Sequence, residues 1–296
     1  MLMAERRVRT IRAALLVPLA LCALTSVAEG QSGAASPSCS LTPSAGVVQE
    51  LTSGGRPRTY RLFVPAGADA GARLPLVLDL HGSGGSSAGQ ARTSGFETLA
   101  AREGFAVATL QADGGRWNVP VAEARPDDVR YVSDVIDDVG ARVCIDPARV
   151  YAAGFSGGGR MTSLLACRLN TRIAAIAPMA GLRWPGPCEG RAVPILTVHG
   201  LADTQNPYAG GVTTRGGEWV ESVPDALAGW ARHNGCAPAI VEEDEPGPLS
   251  THRYERCREG AEVRIIRVDA LGHTWPREPI DATATMWDFF RSHRIR

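Results

Sequence analysis

Three residue types in this chain could together make and break an acyl bond. Ser156 stands in Gly154-Phe155-Ser156-Gly157-Gly158, the G-x-S-x-G spacing of a serine held on a sharp strand-to-helix turn. A serine hydroxyl is a weak nucleophile until a base takes its proton, and both base and substrate must be able to reach it. The turn answers the second need. Small flanking residues allow a strained backbone at the serine, and the helix that follows aims its first N–H groups at a developing oxyanion. The pattern alone is weak in a chain with 33 glycines, and Gly85-Ser86-Ser87-Ala88-Gly89 also fits it. Context separates the two copies. Ser156 directly follows the apolar run Val150–Phe155 and opens a helix-like stretch. Ser87 lies several residues past the run Leu74–Leu80, where it reads as a helix N-cap or loop residue.

The acid and the base are expected after the serine in chain order, each on a loop that follows a strand. Asp203, in His199-Gly200-Leu201-Ala202-Asp203, and His273, in Gly272-His273-Thr274-Trp275-Pro276, meet that requirement. In these roles His273 takes the Ser156 proton and returns it to a leaving alcohol. Asp203 holds the imidazole in one tautomer and stabilises its cation. His81 and His199 each precede a glycine at a strand end and read as structural hydrogen-bonders, and Asp269 reads as a loop cap. For the oxyanion, Gly157 supplies one N–H. The loop His81-Gly82-Ser83-Gly84-Gly85 supplies the other, with Ser83 as the expected donor and Gly82 as the alternative.

The elements that must position these residues alternate along the chain. Candidate strands are Tyr60–Val64, Leu74–Leu80, Phe105–Leu110, Val150–Phe155, Ile173–Pro178, Ile195–Val198 and Val263–Val268. Their Val, Ile and Leu runs lack strict polar alternation, as befits strands buried on both faces of a parallel sheet. Candidate helices are Ser87–Glu103, Asp127–Val143, Gly157–Leu169, Ser222–Asn234 and Thr283–His293. The alternation predicts an α/β fold with a mostly parallel central sheet flanked by helices. The Gly/Pro-rich stretches Leu201–Glu221 and Ala237–Ala261 read as loops or a partial lid.

Composition narrows the function classes. The chain has 296 residues, 44% hydrophobic and 21% charged, with a formal net charge of zero, and all 31 basic residues are arginine. No basic or acidic block suggests capture of nucleic acid or of an anionic membrane. Arg6, Arg7, Arg9 and Arg12 precede the apolar stretch Ala13–Val27, and Ser26-Val27-Ala28 offers a cleavage site. Residues 1–28 therefore read as a signal peptide, 29–58 as an N-terminal extension and 59–296 as one catalytic domain. A secreted chain is expected, with no membrane contact after cleavage. Removing Cys22 leaves Cys39, Cys144, Cys167, Cys188, Cys236 and Cys257, an even number that suggests three disulfides among fifteen possible pairings. Cys236 with Cys257 and Cys167 with Cys188 would close short loops, leaving Cys39 to tie the N-terminus through Cys144. No C-x-x-C or H-E-x-x-H spacing points to a metal.

Several motifs together resemble the extracellular polyhydroxybutyrate depolymerase/feruloyl esterase family. They are His81-Gly-Ser-Gly-Gly85, Asp127-Asp128-Val129, Ile145–Tyr151, Gly154–Gly158, His199-Gly200-x-x-Asp203 with Pro207-Tyr208, and Gly272–Pro276. The resemblance runs from about Thr59 to Phe290. It implies a secreted serine esterase of the α/β-hydrolase fold, without metal or organic cofactor, acting on short-chain hydroxyalkanoate polyesters or on feruloyl and acetyl esters of polysaccharides. Relatives often carry Gly-x-Ser-Asn-Gly at the elbow. Gly157 replaces the asparagine, and the backbone N–H that acts is kept. Carried over by position, Ser156, Asp203 and His273 form the triad and Trp275 lines the acyl site. Tyr208 and Trp219 are further candidates for substrate contact, and they equally fit loop packing. The expected partner is an ester, polymeric substrates included, and the enzyme is expected to act as a monomer. The rival readings are a serine peptidase or amidase on the same fold, and a non-catalytic binding module.

Overall fold

The run Leu74–Leu80, expected as a doubly buried strand, is the centre of the molecule. A computed structural model describes residues 42–66, 73–244 and 247–296. The expected signal peptide, Cys22 and Cys39 lie outside the described residues. The chain forms, in order, β1 (Ser44–Ser53), β2 (Arg56–Val64), β3 (Leu74–Leu80), α1 (Ser87–Ser94), α2 (Phe96–Glu103), β4 (Ala106–Leu110) and α3 (Asp128–Arg142). There follow β5 (Ile145–Phe155), α4 (Gly157–Arg168), β6 (Ala175–Met179), β7 (Ile195–Gly200), β8 (Gly211–Val212), β9 (Glu218–Trp219) and α5 (Val223–His233). β10 (Ile240–Asp244), β11 (Leu249–Tyr254), β12 (Val263–Val268) and α6 (Ala282–Arg291) complete it.

One sheet runs in the order β1-β2-β4-β3-β5-β6-β7-β12-β11-β10. The pairs from β4 through β12 are parallel, and antiparallel strands extend both ends. Residues 44–58, set apart in the sequence as an extension, thus belong to the sheet through β1 and the start of β2. The loop reading of 201–221 gives way locally to the small β8–β9 pair, and that of 237–261 to the β10–β11 hairpin. The single helix expected over Ser87–Glu103 is two helices, because Gly95 adopts φ 65° and ends the first while opening the second.

Period-2 geometry sends successive side chains of β3 to opposite faces. Leu76, Leu78 and Leu80 join Tyr131, Val135, Leu165 and Trp230 under α3, α4 and α5. Val77 joins Phe96, Phe105, Trp287 and Phe290 under α2 and α6. Disulfides Cys167–Cys188 and Cys236–Cys257 close the two short loops, and Cys144 is also disulfide-bonded. Crosslinks of this kind stabilise chiefly by restricting the unfolded chain.

One carboxyl sits inside this core. Asp79 is fully buried on β3, where Gln90 Nε2 and Ser94 Oγ donate to it at 2.8 and 2.6 Å. Burial pushes its pKa from 3.8 to about 7 despite those hydrogen bonds. The unfolded chain therefore releases this proton first. Asp79's contribution to stability is fully present below the ordinary carboxylate range and is lost as pH rises through the window up to about 7. Accordingly, Asp79→Asn is expected to gain stability relative to the unaltered chain as pH is raised from about 4 to about 8. Urea unfolding across that range should show the difference growing in favour of the variant.

Candidate active site

Ser156 caps the N-terminus of α4 with φ 54° and ψ −110°, a backbone conformation that non-glycine residues rarely adopt. Packing around the turn holds it there. Its N–H donates to Met179 O at 2.9 Å, and its carbonyl accepts from Arg160 N–H at 3.0 Å. Backbone then meets backbone without room for side chains. A β-carbon added at Gly154 would lie 2.5 Å from the Gly158 carbonyl carbon, and one at Gly158 would overlap the Leu80 carbonyl oxygen. One at Gly181 would overlap the carbonyl of Ser156 itself. The decoy Ser87 is the first residue of α1, and the cap is its neighbour Ser86, which accepts from Gly89 N–H.

The His81–Gly85 loop lies against the same turn. A β-carbon on Gly157 would stand 3.0 Å from Ser83 N, and one on Gly82 3.4 Å from the Ser156 β-carbon. Neither the Ser83 nor the Gly157 N–H donates to a protein acceptor among the described residues. A chain of buried polar contacts fixes this loop. Arg58 pairs with Asp128 at 2.7 Å, and Asp128 accepts from Asn118 N–H at 2.6 Å. The adjacent Trp117 donates its indole N–H to the His81 carbonyl at 2.8 Å. The His81 ring bridges Gly82 O at 2.8 Å and Ala112 N at 3.1 Å. That assigns its proton to Nδ1. Burial lowers its pKa and keeps it neutral.

Asp203 and His273 come together from loops after β7 and β12. His273 Nδ1 lies 2.6 Å from Asp203 Oδ2. Oδ1 accepts the N–H groups of Gln205 and Asn206, both at 2.8 Å, the signature of an Asx turn. Burial works against ionising Asp203, but the bonds from His273 and Asn206 outweigh it and the pKa falls below the ordinary carboxylate value. His199 stands 3.7 Å away on the other flank, fully buried, and its Nε2 meets Asn206 O at 2.8 Å. Burial holds its pKa down, so it packs beside Asp203 without charge. The two loops are joined directly. Ala202 N–H donates to Leu271 O at 3.1 Å, and only glycine at 200 lets Leu271 pass so close. His273 Nε2 is buried without a partner, and Ser156 Oγ forms no hydrogen bond with it.

The three aromatic candidates have different surroundings. Trp275 is 6% exposed, edge-on to Phe96 and Phe155 at 6.0 and 6.5 Å, with its indole N–H on Thr283 Oγ1. Its place is therefore in the core behind the His273 loop, because the ring and its polar edge both find partners there. The ring beside His273 is Phe155, at 4.8 Å. Tyr208 packs edge-to-face on His199 at 5.9 Å. Trp219 is buried under the guanidinium of Arg183, 3.5 Å from its ring centroid, with Arg160 at 5.0 Å. Sequence reasoning missed Phe155, Asn206, Gly181 and Gly200. Of these, only Asn206 carried a readable signal, the Asp-x-x-Asn spacing of the turn.

Residues 58–187 match the family described as Esterase PHB depolymerase. The protein named "Putative esterase NocK" from Nocardia uniformis subsp. tsuyamanensis is 34% identical over 253 residues, 77% of this chain and 73% of that one. The chain belongs to the PHB-depolymerase esterase family. Feruloyl esterase B of Piromyces equi is 30% identical over 249 residues, 78% of this chain and 44% of that longer relative. Among solved structures, an acetyl xylan esterase from Aspergillus awamori superposes with a TM-score of 0.63 at 16% identity, covering 83% of this chain and 99% of that one. The fold is that of the α/β-hydrolases, and this member of the esterase family is a serine carboxylic-ester hydrolase. The overlap at Gly158 makes the esterase turn testable. Gly158→Ala is expected to lower stability by about 1–3 kcal/mol or more in urea unfolding. Gly140→Ala meets its nearest atom, Ile145 Cδ1, at 3.7 Å and is expected to stabilise α3 by up to about 1 kcal/mol.

Proposed function

We propose that the enzyme cleaves feruloyl, acetyl or short-chain hydroxyalkanoate esters outside the cell through an acyl intermediate on Ser156. The observation that carries this reading is the 2.6 Å contact between His273 Nδ1 and Asp203. An ionised Asp203 keeps the ring proton on Nδ1, which leaves a lone pair on Nε2. Nε2 takes the Ser156 proton as Oγ bonds to the ester carbonyl carbon. The oxygen that becomes negative is met by the Ser83 and Gly157 N–H groups, which have no protein acceptor to give up. Collapse of the tetrahedral intermediate breaks the bond to the alcohol oxygen, which leaves with the proton from Nε2. Water, deprotonated by the same nitrogen, then attacks the acyl carbon and releases the acid, restoring Ser156.

The substrate classes rest on the relatives, one called a feruloyl esterase and another an acetyl xylan esterase. Export is supported by the two disulfides among the described residues. Phe155, Trp275 and Tyr208 serve the triad by packing behind His273 and His199, which keeps the imidazole of His273 from turning away from Ser156. Ser156→Ala is expected to cut kcat for 4-nitrophenyl butyrate by about 10⁶, and Asp203→Asn by about 10⁴, at neutral pH. Retention of more than a tenth of the activity by the serine variant would remove Ser156 from its role. A panel of methyl ferulate, acetylated xylan and hydroxybutyrate oligomers then ranks the acyl groups by kcat/KM.

A further inference from the structure

A cleft of about 360 Å³ opens beside Ser83, the residue next to the Ser156 turn, and four arginines line it: Arg116, Arg125, Arg160 and Arg215. Trp117 and Val119 complete the lining, and no carboxylate does. Elsewhere arginines of this chain pair with acids, as Arg58 does with Asp128, Arg61 with Glu97 and Arg172 with Asp137. Among the described residues, none of the four in the cleft forms an ion pair. Arg125 is fixed in place, donating to the carbonyls of Arg116 and Trp117 at 3.0 and 2.6 Å. Arg160 projects from the first turn of α4, and its Nε is buried without a hydrogen-bond partner. Burial and then repulsion from Arg215 pull its pKa below the usual value, yet a guanidinium stays charged at neutral pH. Like charges gathered in a partly buried cleft repel one another, and that cost is recovered when an anion binds.

We infer that this cleft binds a carboxylate carried by the ester substrate, which makes the enzyme selective for anionic esters. The inference rests on the esterase reading of Ser156 and adds the charge of the substrate. Planar guanidinium forks match a carboxylate in two-point hydrogen bonds, and four arginines without acid partners line this cleft. Ser83 both lines the cleft and faces Gly157, so one ester molecule can place a carboxylate in the cleft and its carbonyl at the turn. The carboxylate can sit on the acid or on the alcohol side of the ester, and matched probes separate the two.

On the acid side, the mono-4-nitrophenyl ester of adipic acid is compared with 4-nitrophenyl hexanoate. On the alcohol side, 3-acetoxybenzoate is compared with 3-acetoxybenzamide. In one of the two pairs the charged member is expected to have the higher kcat/KM by about tenfold or more. That preference should shrink with rising salt, and it should fall about tenfold in Arg215→Gln or Arg116→Gln, mainly through KM. Charged-to-neutral ratios near one in both pairs, or ratios unmoved by both variants, overturn the inference. Loss of all ester turnover would instead defeat the esterase reading. Calorimetry on the Ser156→Ala protein then still decides the cleft. Benzoate binding more tightly than benzamide, and weakened by Arg215→Gln, upholds the inference, and equal binding overturns it.

Discussion

The first turn of α4 packs against its neighbours backbone to backbone, and the site depends on that contact. Gly154, Gly158 and Gly181 leave no gap that a side chain could fill. As a result, the Ser156 carbonyl, the end of β3 and the start of the segment after β6 share one small volume. Such contacts have no rotamers to relax through, so the distances they set are stiff. The positive φ at Ser156 is held by hydrogen bonds on both sides of the residue and not by favourable local geometry. Because Gly158 lies under the carbonyls of Leu80 and His81, the same contact places the Ser83 N–H relative to Ser156. Ser156 and the Ser83 N–H, 73 positions apart in the chain, are thus located by a single packing event.

The two flanks of this turn use polar groups in opposite ways. On one side Asp203, His199, Asn206 and His273 form a buried network, in which burial keeps His199 neutral and hydrogen bonds keep Asp203 ionised. A charge there is matched at close range, and among the described residues His199 Nδ1 and His273 Nε2 are its two ring nitrogens without a partner. On the other side, beyond Ser83, guanidiniums stand without matching acids. The two flanks therefore differ in their electrostatics, with paired and buried groups on one and unpaired like charges at a more open cleft on the other.

The central strands were legible because burial on both faces leaves unbroken apolar runs. Leu74–Leu80 and Val263–Val268 match β3 and β12 residue for residue. The edges were not legible. β1 and β10 carry residues such as Gln49, Glu50, Glu242 and Glu243, whose polarity suits an edge strand and hides it from a search for apolar runs. Gly95 split a helix because its left-handed backbone outweighs the helical pattern around it. At the site, Asp203 and His273 were readable as residues after strands, and they meet at hydrogen-bonding distance. Trp275 adjoins the histidine in sequence, yet its ring points into the core, a direction the chain order does not encode. Gly181 and Gly200 act by close approach to Ser156 and Leu271. Those approaches exist only after strands 25 and 71 positions apart have been placed.

The excursion between β7 and α5 is pinned at its far end, where Trp219 packs under Arg183 and Glu221 accepts from Arg183 and Trp184 N–H. Val223 N–H closes on Tyr208 O at 2.9 Å, so the segment 209–222 leaves and returns at nearly the same place. Inside it Thr214 N–H reaches back to Thr204 O at 3.0 Å, while Asp203 and Asn206 are held by bonds of their own outside the loop. The segment carries Arg215 and Trp219. Residues 211–217, between the close of the loop and the pinned Trp219, are where length or charge can change what the cleft greets while Asp203 keeps its own moorings.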